Sequence, residues 1–202
     1  MGDGSLNSTD NSLKGSHHDI RFYPDDLTMA NLFIEAFEKL YLKKPSIKNL
    51  GRYFRLHISS KPAWQDLNKF GEYDSLNWTI PRSFLSKEEK IEWLRSLFDC
   101  EAYVDVKKKR IVFQTVSKKG INSIQKLLDE LGIKSKYYIY KRKNLNFNLN
   151  YLLFVSRFEN ISRFSEMIGF NHLRKKKKLD YICRCARKVN GAVSKTVARK
   201  GA

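Results

Sequence analysis

The stretch LRSLFDCEA, Leu94–Ala102, closes a predicted helix and leads directly into a predicted β-hairpin. The helix, Ser86–Asp99, begins with a capping box, because Ser86 is followed three residues later by Glu89. Its apolar residues recur at the spacing of an amphipathic helix; they are Ile91, Leu94, Leu97 and Phe98. The hairpin is predicted over Tyr103–Val106 and Ile111–Val116, with the basic turn KKKR between the strands.

Outward from this stretch, helices and strands alternate on both sides. Downstream we predict the helix Gly120–Leu131, the strands Lys136–Arg142 and Tyr151–Val155, and the helix Phe158–Ile168, with Gly132 and Gly169 as helix stops. Upstream we predict the strand Asp19–Tyr23, a helix from Asp26 with Asp25 or Asp26 as N-cap, the strand Arg52–Ser59 and the helix Ser60–Phe70. The second half therefore has the order α-β-β-α-β-β-α.

The same order, without its first helix, is predicted for the first half, which indicates an internal repeat. Phe70-Gly71 and Ile168-Gly169 end corresponding helices, and Lys61 and Arg157 lie where the last strand of each half meets its helix. Ile20 and Phe22 correspond to Ile111 and Phe113 in the second strand. The helix-end offset aligns Gly2-Asp3-Gly4 with Cys100-Glu101-Ala102, so that Asp3 corresponds to Glu101.

The composition points to a polyanionic partner. The chain has 39 Lys and Arg against 21 Asp and Glu, a net charge of +18, and nucleic acid is the first candidate. A ribosomal protein or a basic membrane-surface protein is the alternative. No apolar run is long enough for a membrane helix, and the start lacks a signal-peptide pattern. We therefore expect an intracellular protein, cytoplasmic or organellar, with no membrane partner.

Other chemistries lack a motif. Cys100, Cys183 and Cys185 are too few for a disulfide framework, and they lack the paired spacing of a zinc site. His17-His18 and His57 are interpreted as a surface loop and a strand residue rather than as metal ligands. No Ser-His-Asp arrangement, P-loop or dinucleotide fingerprint occurs in the sequence.

Leu94–Ala102 resembles the LAGLIDADG motif of homing endonucleases, in the form LRGLFDAEG. Leu94, Leu97, Phe98, Asp99 and Glu101 match the motif, whereas Ser96 and Ala102 replace its two glycines. MGDGSL resembles the end of a first copy of the motif, with Asp3 in the position of Glu101. The resemblance covers about residues 1–180. Because only Met1 precedes Gly2-Asp3-Gly4, we expect the first repeat to lack most of its first helix.

The resemblance implies an α+β fold of two pseudo-symmetric αββαββα repeats, with antiparallel saddle-shaped sheets and helices on one face. The repeats are expected at 1–77 and 78–173, followed by a basic tail at 174–202. The implied protein is a monomeric endonuclease that makes a double-strand cut in DNA using Mg²⁺. Asp3 and Glu101 would be metal ligands and catalytic residues, and Lys61 and Arg157 the basic catalytic residues. Asp99 would fix a helix end rather than bind metal.

The implied β-saddle would lie along the major groove of DNA, and strand alternation assigns its faces. In the second half, Tyr137 and Ile139 are expected to face the core and Val112 to face outward. The runs Lys107–Arg110 and Arg174–Lys178 are expected at phosphates. The expected DNA-binding residues are Arg110, Gln114, Lys136, Tyr138, Tyr140 and Arg142 in the second half, and Arg21, Tyr23, Arg52, Arg55 and His57 in the first.

Two other functions fit the same residues. An RNA maturase on this fold would bind intron RNA and assist its splicing. A catalytically decayed protein would keep the DNA-binding sheets without cleavage, an alternative favoured by Ser96, Ala102 and the short first motif.

Overall fold

The computed structural model describes residues 4–11, 15–70, 75–78, 80–81, 86–141 and 148–185. The first repeat contains β1 (Gly4–Asn11), β2 (Gly15–Phe22), α1 (Leu27–Tyr41), β3 (Ser46–Asn49), β4 (Phe54–Ser59) and α2 (Lys61–Asn68). The second contains α3 (Lys87–Glu101), β5 (Ala102–Asp105), β6 (Arg110–Thr115), α4 (Lys118–Glu130), β7 (Lys136–Tyr140), β8 (Asn150–Val155) and α5 (Phe158–Met167). A further helix, α6, covers 173–185.

The strands form two antiparallel four-stranded sheets with the same topology, which confirms the expected α+β repeat fold. Their strand orders are β1-β2-β4-β3 and β5-β6-β8-β7. Gly4 pairs with Phe22 as Ala102 pairs with Phe113, so β1 and β5 begin at equivalent positions. The predicted correspondence of Phe22 with Phe113 is therefore confirmed.

β1 and β3 were not predicted individually, because neither has an alternating apolar pattern. β1 reads GSLNSTDN, with Leu6 as its single apolar residue. All four residues of β3 are exposed, as is usual for an edge strand. Gly4-Ser5-Leu6 is thus the start of a strand rather than the end of a helix, while Met1–Asp3 lie outside the described residues.

The helices of each repeat cover one face of its sheet. In the second repeat, Phe98 of α3 packs with its ring centroid 5.2 Å from that of Phe113 and 5.1 Å from that of Phe164. The first core is smaller, with Ile20, Phe37, Ile58 and Ala63 as its buried cluster. The second repeat therefore holds most of the described apolar core.

Several helix ends follow the predicted signals. Ser86 Oγ accepts from the Glu89 N–H at 3.1 Å, while Glu89 Oε2 accepts from the Ser86 N–H at 2.9 Å, which completes the capping box. Gly132 and Gly169 end α4 and α5 with φ of 70° and 62°, a conformation that favours glycine. These local signals depend only on neighbouring residues.

The helix α6 starts one residue before the segment expected to be a basic tail, and its apolar side is buried. Leu179, Ile182 and Cys183 belong to the core of the second repeat. Residues 186–202 lie outside the described part of the chain. Among the helices that the structure describes, none has both the length and the apolar character needed to span a bilayer.

Candidate active centre and nucleic-acid interface

The LRSLFDCEA stretch connects three helices at one place. Leu94 and Phe98 are fully buried in the second core. The Arg95 guanidinium donates to the carbonyl oxygens of Ile168 and Met167, which closes the end of α5. Helix carbonyls at a C-terminus lack partners within the helix, so this cation satisfies them.

Asp99 fixes the start of α6. It is 2% exposed, and its two carboxylate oxygens each accept a backbone N–H, from Asn171 and from His172, at 3.0 Å. Burial raises the pKa of Asp99, and the two N–H donors oppose that rise. The Asp99 carboxylate therefore holds the start of α6 rather than the end of its own helix, α3.

Lys175 and His172 tie α6 to its surroundings. The Lys175 ammonium donates to the carbonyl oxygens of Asp99 and Cys100 at the end of α3. His172 is 3% exposed, with Nε2 3.0 Å from Asp25 Oδ1 and Nδ1 3.6 Å from Asp26 Oδ2. Because both aspartates precede α1, this buried imidazole joins the two repeats next to the end of α3.

An open cavity of about 470 Å³ lies beside that junction. Tyr23, Asp25, Arg52 and Tyr53 line it from the first repeat, Cys100 from α3 and Lys175 from α6. Tyr23 and Arg52, expected on a sheet face, thus lie at the centre of the molecule. Glu101, half-buried, is the residue that follows Cys100 and ends α3.

Asp3 lies outside the described residues, and its neighbour Gly4 begins β1. Gly4 and Cys100 line the same second cavity, of about 540 Å³. The residue before β1 and the residue before β5 are Asp3 and Glu101, so their carboxylates fit the oxygen ligands that Mg²⁺ prefers. The described residues alone contain no group of three His, Cys, Asp or Glu side chains placed to hold a metal.

Lys61 and Arg157 lie at the starts of α2 and α5 and are not among the residues that line the cavity beside the junction. Ser60 and Arg157 are the N-cap residues of α2 and α5, so Lys61 is one residue beyond the position equivalent to Arg157. Ser59 pairs with Asp19, and Asp19 with Asn7, three residues beyond Gly4. Ser59 is thus two strand spacings of about 4.8 Å across and three residues of about 3.4 Å along from Gly4, which is roughly 14 Å. Lys61 follows Ser59 by two residues.

The uncovered face of the second sheet carries most of its expected DNA-binding residues. Arg110 Nε donates to Asp105 Oδ2 at 3.2 Å, and its guanidinium lies 4.3 Å from the centre of the Phe154 ring. Gln114 Nε2 donates to Asn150 Oδ1 at 3.1 Å. Lys136, Tyr138 and Tyr140 are exposed on the edge strand β7, whereas Arg142 lies outside the described residues.

The uncovered face of the first sheet brings Arg21, Arg55 and His57 together. Arg21 pairs with His57 across β2 and β4. Asp19 lies between them, 3.0 Å from Arg21 Nη2 and 3.1 Å from His57 Nε2, and the His57 hydrogen bond is the main cause that lowers the pKa of Asp19. Arg55 lies opposite Lys48, and both are exposed.

Two residues on their expected faces differ from expectation in burial, and one loop assignment was wrong. Ile139 was expected in the core but is 58% exposed on the edge strand β7. Val112 is on the expected outer face but fully buried, since Tyr103 and Phe154 flank it in the same row. His17 and His18 lie in β2 rather than in a loop, and His18 packs edge-on against Trp64 at 5.0 Å.

Sequence reasoning missed the roles of Asp25, His172 and Lys175 at the centre. Asp25 was considered only as an N-cap, and Lys175 only as one phosphate contact within Arg174–Lys178. For His172, the sequence signal is its position three residues after the helix stop Gly169. The local sequence does not show which lysine of this run contacts the end of α3, because that depends on the direction of α6.

Comparison with known proteins identifies the second repeat. Residues 88–169 match the family model described as LAGLIDADG-like domain. The chain is 29% identical over 186 residues to a replication factor C small subunit of Methanocaldococcus jannaschii, over 89% of this chain and 9% of that protein. It is 32% identical over 143 residues to a glutamine–fructose-6-phosphate aminotransferase of the same organism, over 67% and 13%. The chain thus spans a small part of these relatives, and their named activities are not transferred to it.

Solved structures show the same fold. The chain matches mesophilic variants of the homing endonuclease I-DmoI with a TM-score of 0.63 at 20% identity, over 83% of each chain. It matches I-DmoI in complex with DNA and Mn with a TM-score of 0.62 at 20% identity, over 83% of this chain and 90% of that one. Full-length DUF199/WhiA from Thermotoga maritima matches with a TM-score of 0.51 at 15% identity, over 95% and 62%. The chain therefore has the two-repeat fold of these proteins.

Proposed function

We propose that the chain, whose second repeat matches the LAGLIDADG-like domain, is a monomeric, homing-type endonuclease that cuts both strands of double-stranded DNA. The observation that carries this proposal is the position of Glu101. It ends α3 directly before β5 and follows Cys100, which lines a cavity together with Arg52 of the first repeat and Lys175 of α6. A carboxylate flanked by cations between two uncovered sheets suits a phosphodiester backbone. We place this activity inside the cell, in the cytoplasm or an organelle.

Asp3 and Glu101 are the proposed ligands of Mg²⁺. When bound there, the metal would activate water and stabilise the departing oxygen of the cleaved phosphodiester. Lys175 and Arg52 would orient the phosphate by charge. Lys61 and Arg157 remain proposed catalytic residues that polarise the scissile phosphate, and contact with the flanking DNA backbone is their alternative role. Arg157 has φ of 65°, a strained conformation of the kind often found at functional sites.

The two sheet faces are the proposed DNA-binding surface. The chain carries a net charge of +18, and phosphate contacts by Lys and Arg supply sequence-independent affinity. Lys107–Arg110, in the turn between β5 and β6, and Arg174–Lys178, in the first part of α6, would meet phosphates. The side chains proposed at the sheets and the centre are Arg21, Tyr23, Arg52, Arg55, His57, Arg110, Gln114, Lys136, Tyr138, Tyr140 and Arg142.

We propose the division 1–77, 78–173 and 174–202, with a first repeat that lacks most of its first helix. The second cavity supports this division, because it is an apolar groove beside α3. Trp93, Ser96 and Leu97 of α3 line one side, and Leu6 and Phe33 of the first repeat line the other. In the described residues of the first repeat, no helix occupies the position that α3 has in the second.

A DNA-binding protein without cleavage is the second candidate. The likeness in fold to WhiA and the open groove beside α3 favour it. An RNA maturase that binds intron RNA is the third, since the same basic faces suit RNA.

The test uses duplex DNA that the protein enriches from a randomised library, cloned into a plasmid. We expect Mg²⁺-dependent linearisation, and we expect Glu101→Gln to reduce its rate by at least about 100-fold while DNA affinity is kept. Glu88→Gln is the matched control, since Glu88 is an exposed acid in the first turn of the same helix. Unchanged cutting by Glu101→Gln would exclude the proposed role of Glu101. Enrichment without cutting would support the second candidate, and preference for intron RNA over duplex DNA the third.

A further inference from the structure

The uncovered faces of the two sheets differ in chemistry. On the first face, the strand register aligns side chains that are all charged or hydrogen-bonding. They are Ser5, Asn7, Thr9, His17, Asp19, Arg21, Ser46, Lys48, Arg55, His57 and Ser59. Arg55 and Lys48 are directly opposite and exposed. Like charges in this arrangement repel, so the pair favours an anion or an acceptor between its cations.

The second face is apolar and aromatic at its centre. The register aligns Tyr103, Val112 and Phe154 in one row, with Lys136 at its edge, and Leu152 between Gln114 and Tyr138 in the next. Leu152 and Phe154 are half-buried on the inner strand β8, and the ring of Tyr138 lies 5.6 Å from that of Phe154. A shallow cavity of about 580 Å³ lies over this cluster. The surface offered to a ligand there is mainly hydrocarbon.

Two polar side chains beside this cluster, Arg110 and Gln114, are engaged with neighbouring protein groups, whereas Lys136, opposite Phe154, is exposed at the sheet edge. Arg110 donates to Asp105 and stacks over Phe154, and Gln114 donates to Asn150. A ligand donor or acceptor placed directly over the hydrocarbon of Leu152 would therefore lose its water without gaining a hydrogen bond from Arg110 or Gln114, which is costly.

From this difference we infer that the second sheet reads its half of the DNA site by apolar contact with thymine 5-methyl groups, through Leu152, Phe154 and Tyr138. In the major groove, thymine presents a methyl group, whereas cytosine presents an amino donor at the neighbouring position. The first sheet reads its half by charge and hydrogen bonds. The inference rests on the proposed DNA-binding function, and it assigns the two halves of the site different chemistries.

The test replaces each thymine of the enriched duplex by uracil, which removes only the methyl group. Burial of one methyl group predicts a loss of affinity of about three- to fivefold for each sensitive thymine. We expect this loss in one half of the site alone. Arg55→Ala identifies the other half, because it relaxes base preference where the first sheet binds. Equal sensitivity in both halves, or sensitivity to uracil only in the half that Arg55→Ala identifies, would overturn the inference.

Two variants link the methyl effect to the cluster. Leu152→Asn preserves side-chain size, and Tyr138→Gln changes a residue that is 61% exposed and contributes little to the fold. Each is expected to reduce the thymine-to-uracil ratio of affinities toward one in the second half and to leave that ratio unchanged in the first. An unchanged ratio in both variants would contradict the inference.

If no duplex is enriched at all, the proposed function and this inference both fail. If the duplex is enriched and cut but tolerates uracil everywhere, only the inference fails.

Discussion

At the residue scale, the motif positions serve the fold as much as the proposed chemistry. Arg95 closes α5, Asp99 starts α6, and Lys175 satisfies the carbonyls that precede Glu101. The capping pair Ser86 and Glu89 could be predicted because its partners are three residues apart. The contact between His172 and Asp25 could not be predicted, because 147 positions separate the two residues and only the packing of the repeats brings them together.

Asp99 gives a prediction about pH. Burial raises its pKa above the ordinary value of 3.8, so between the unfolded and folded pKa values the folded chain binds more protons than the unfolded chain. The contribution of Asp99 to the free energy of unfolding is therefore present at low pH and is lost as pH rises through the folded pKa. Asp99→Asn removes this titration and keeps one acceptor oxygen. We expect the stability of Asp99→Asn relative to the parent to increase as pH rises from about 3.5 to 7.

The measurement is chemical denaturation across that pH range, with Asp129→Asn as the control. Asp129 is an exposed acid of α4, so its substitution leaves the pH dependence close to that of the parent. The quantity compared is the free energy of unfolding of Asp99→Asn minus that of the parent. If it stays constant or falls with rising pH, burial does not raise the pKa of Asp99 in the folded chain.

At the element scale, prediction succeeded where apolar periodicity is strong and failed where it is weak. α3 and α4 have clear apolar stripes, whereas β1 has one apolar residue and β3 is fully exposed. The tail was expected to be basic and partly helical, but the packing of α6 on the core was not predicted, because the five basic residues Arg174–Lys178 precede its apolar stripe. Tertiary pairing, rather than local preference, determines these elements.

The packing of α6 can be tested with one substitution. Ile182 is 2% exposed in the second core, so Ile182→Ala is expected to lower the free energy of unfolding by about 2–5 kcal/mol. Lys178→Ala changes an exposed residue of the same helix and is expected to stay within about 0.5 kcal/mol of the parent. Denaturant titration measures both. A cost for Ile182→Ala as small as that of Lys178→Ala would mean that α6 does not pack on the core.

At the scale of the whole molecule, the repeat makes the architecture predictable and also exposes its asymmetry. Matching pairs at Gly4–Phe22 and Ala102–Phe113 show that one plan is used twice. The second copy has α3 over its sheet, whereas the first has an apolar groove beside α3. A repeat can be found in a sequence from corresponding residues alone. The groove could not, because it is formed by side chains from β1, β2, α1, α2 and α3 together.

The groove predicts what an added helix would do. A copy of Ser86–Phe98 fused to the N-terminal side of Met1 puts Gly2-Asp3 in the register that Cys100-Glu101 has at the end of α3. Its apolar residues would cover Leu6, Phe33 and Trp93, and its small residue would face Ser96, which is exposed in the groove. Since each large apolar side chain that is buried contributes about 1.5–3 kcal/mol, we expect the melting temperature to rise by at least about 5 °C.

The matched control is the same added helix with the residues copied from Leu94, Leu97 and Phe98 changed to Gln. It keeps the length and helix start but cannot fill an apolar groove, so its melting temperature should stay at that of the parent. Plasmid linearisation gives a second measurement, since an ordered Asp3 beside Glu101 would increase the cutting rate. Equal melting temperatures for the apolar and Gln versions would show that the groove does not accept a helix. If the melting temperature rises but the cutting rate does not change, the added helix fills the groove without forming the metal site.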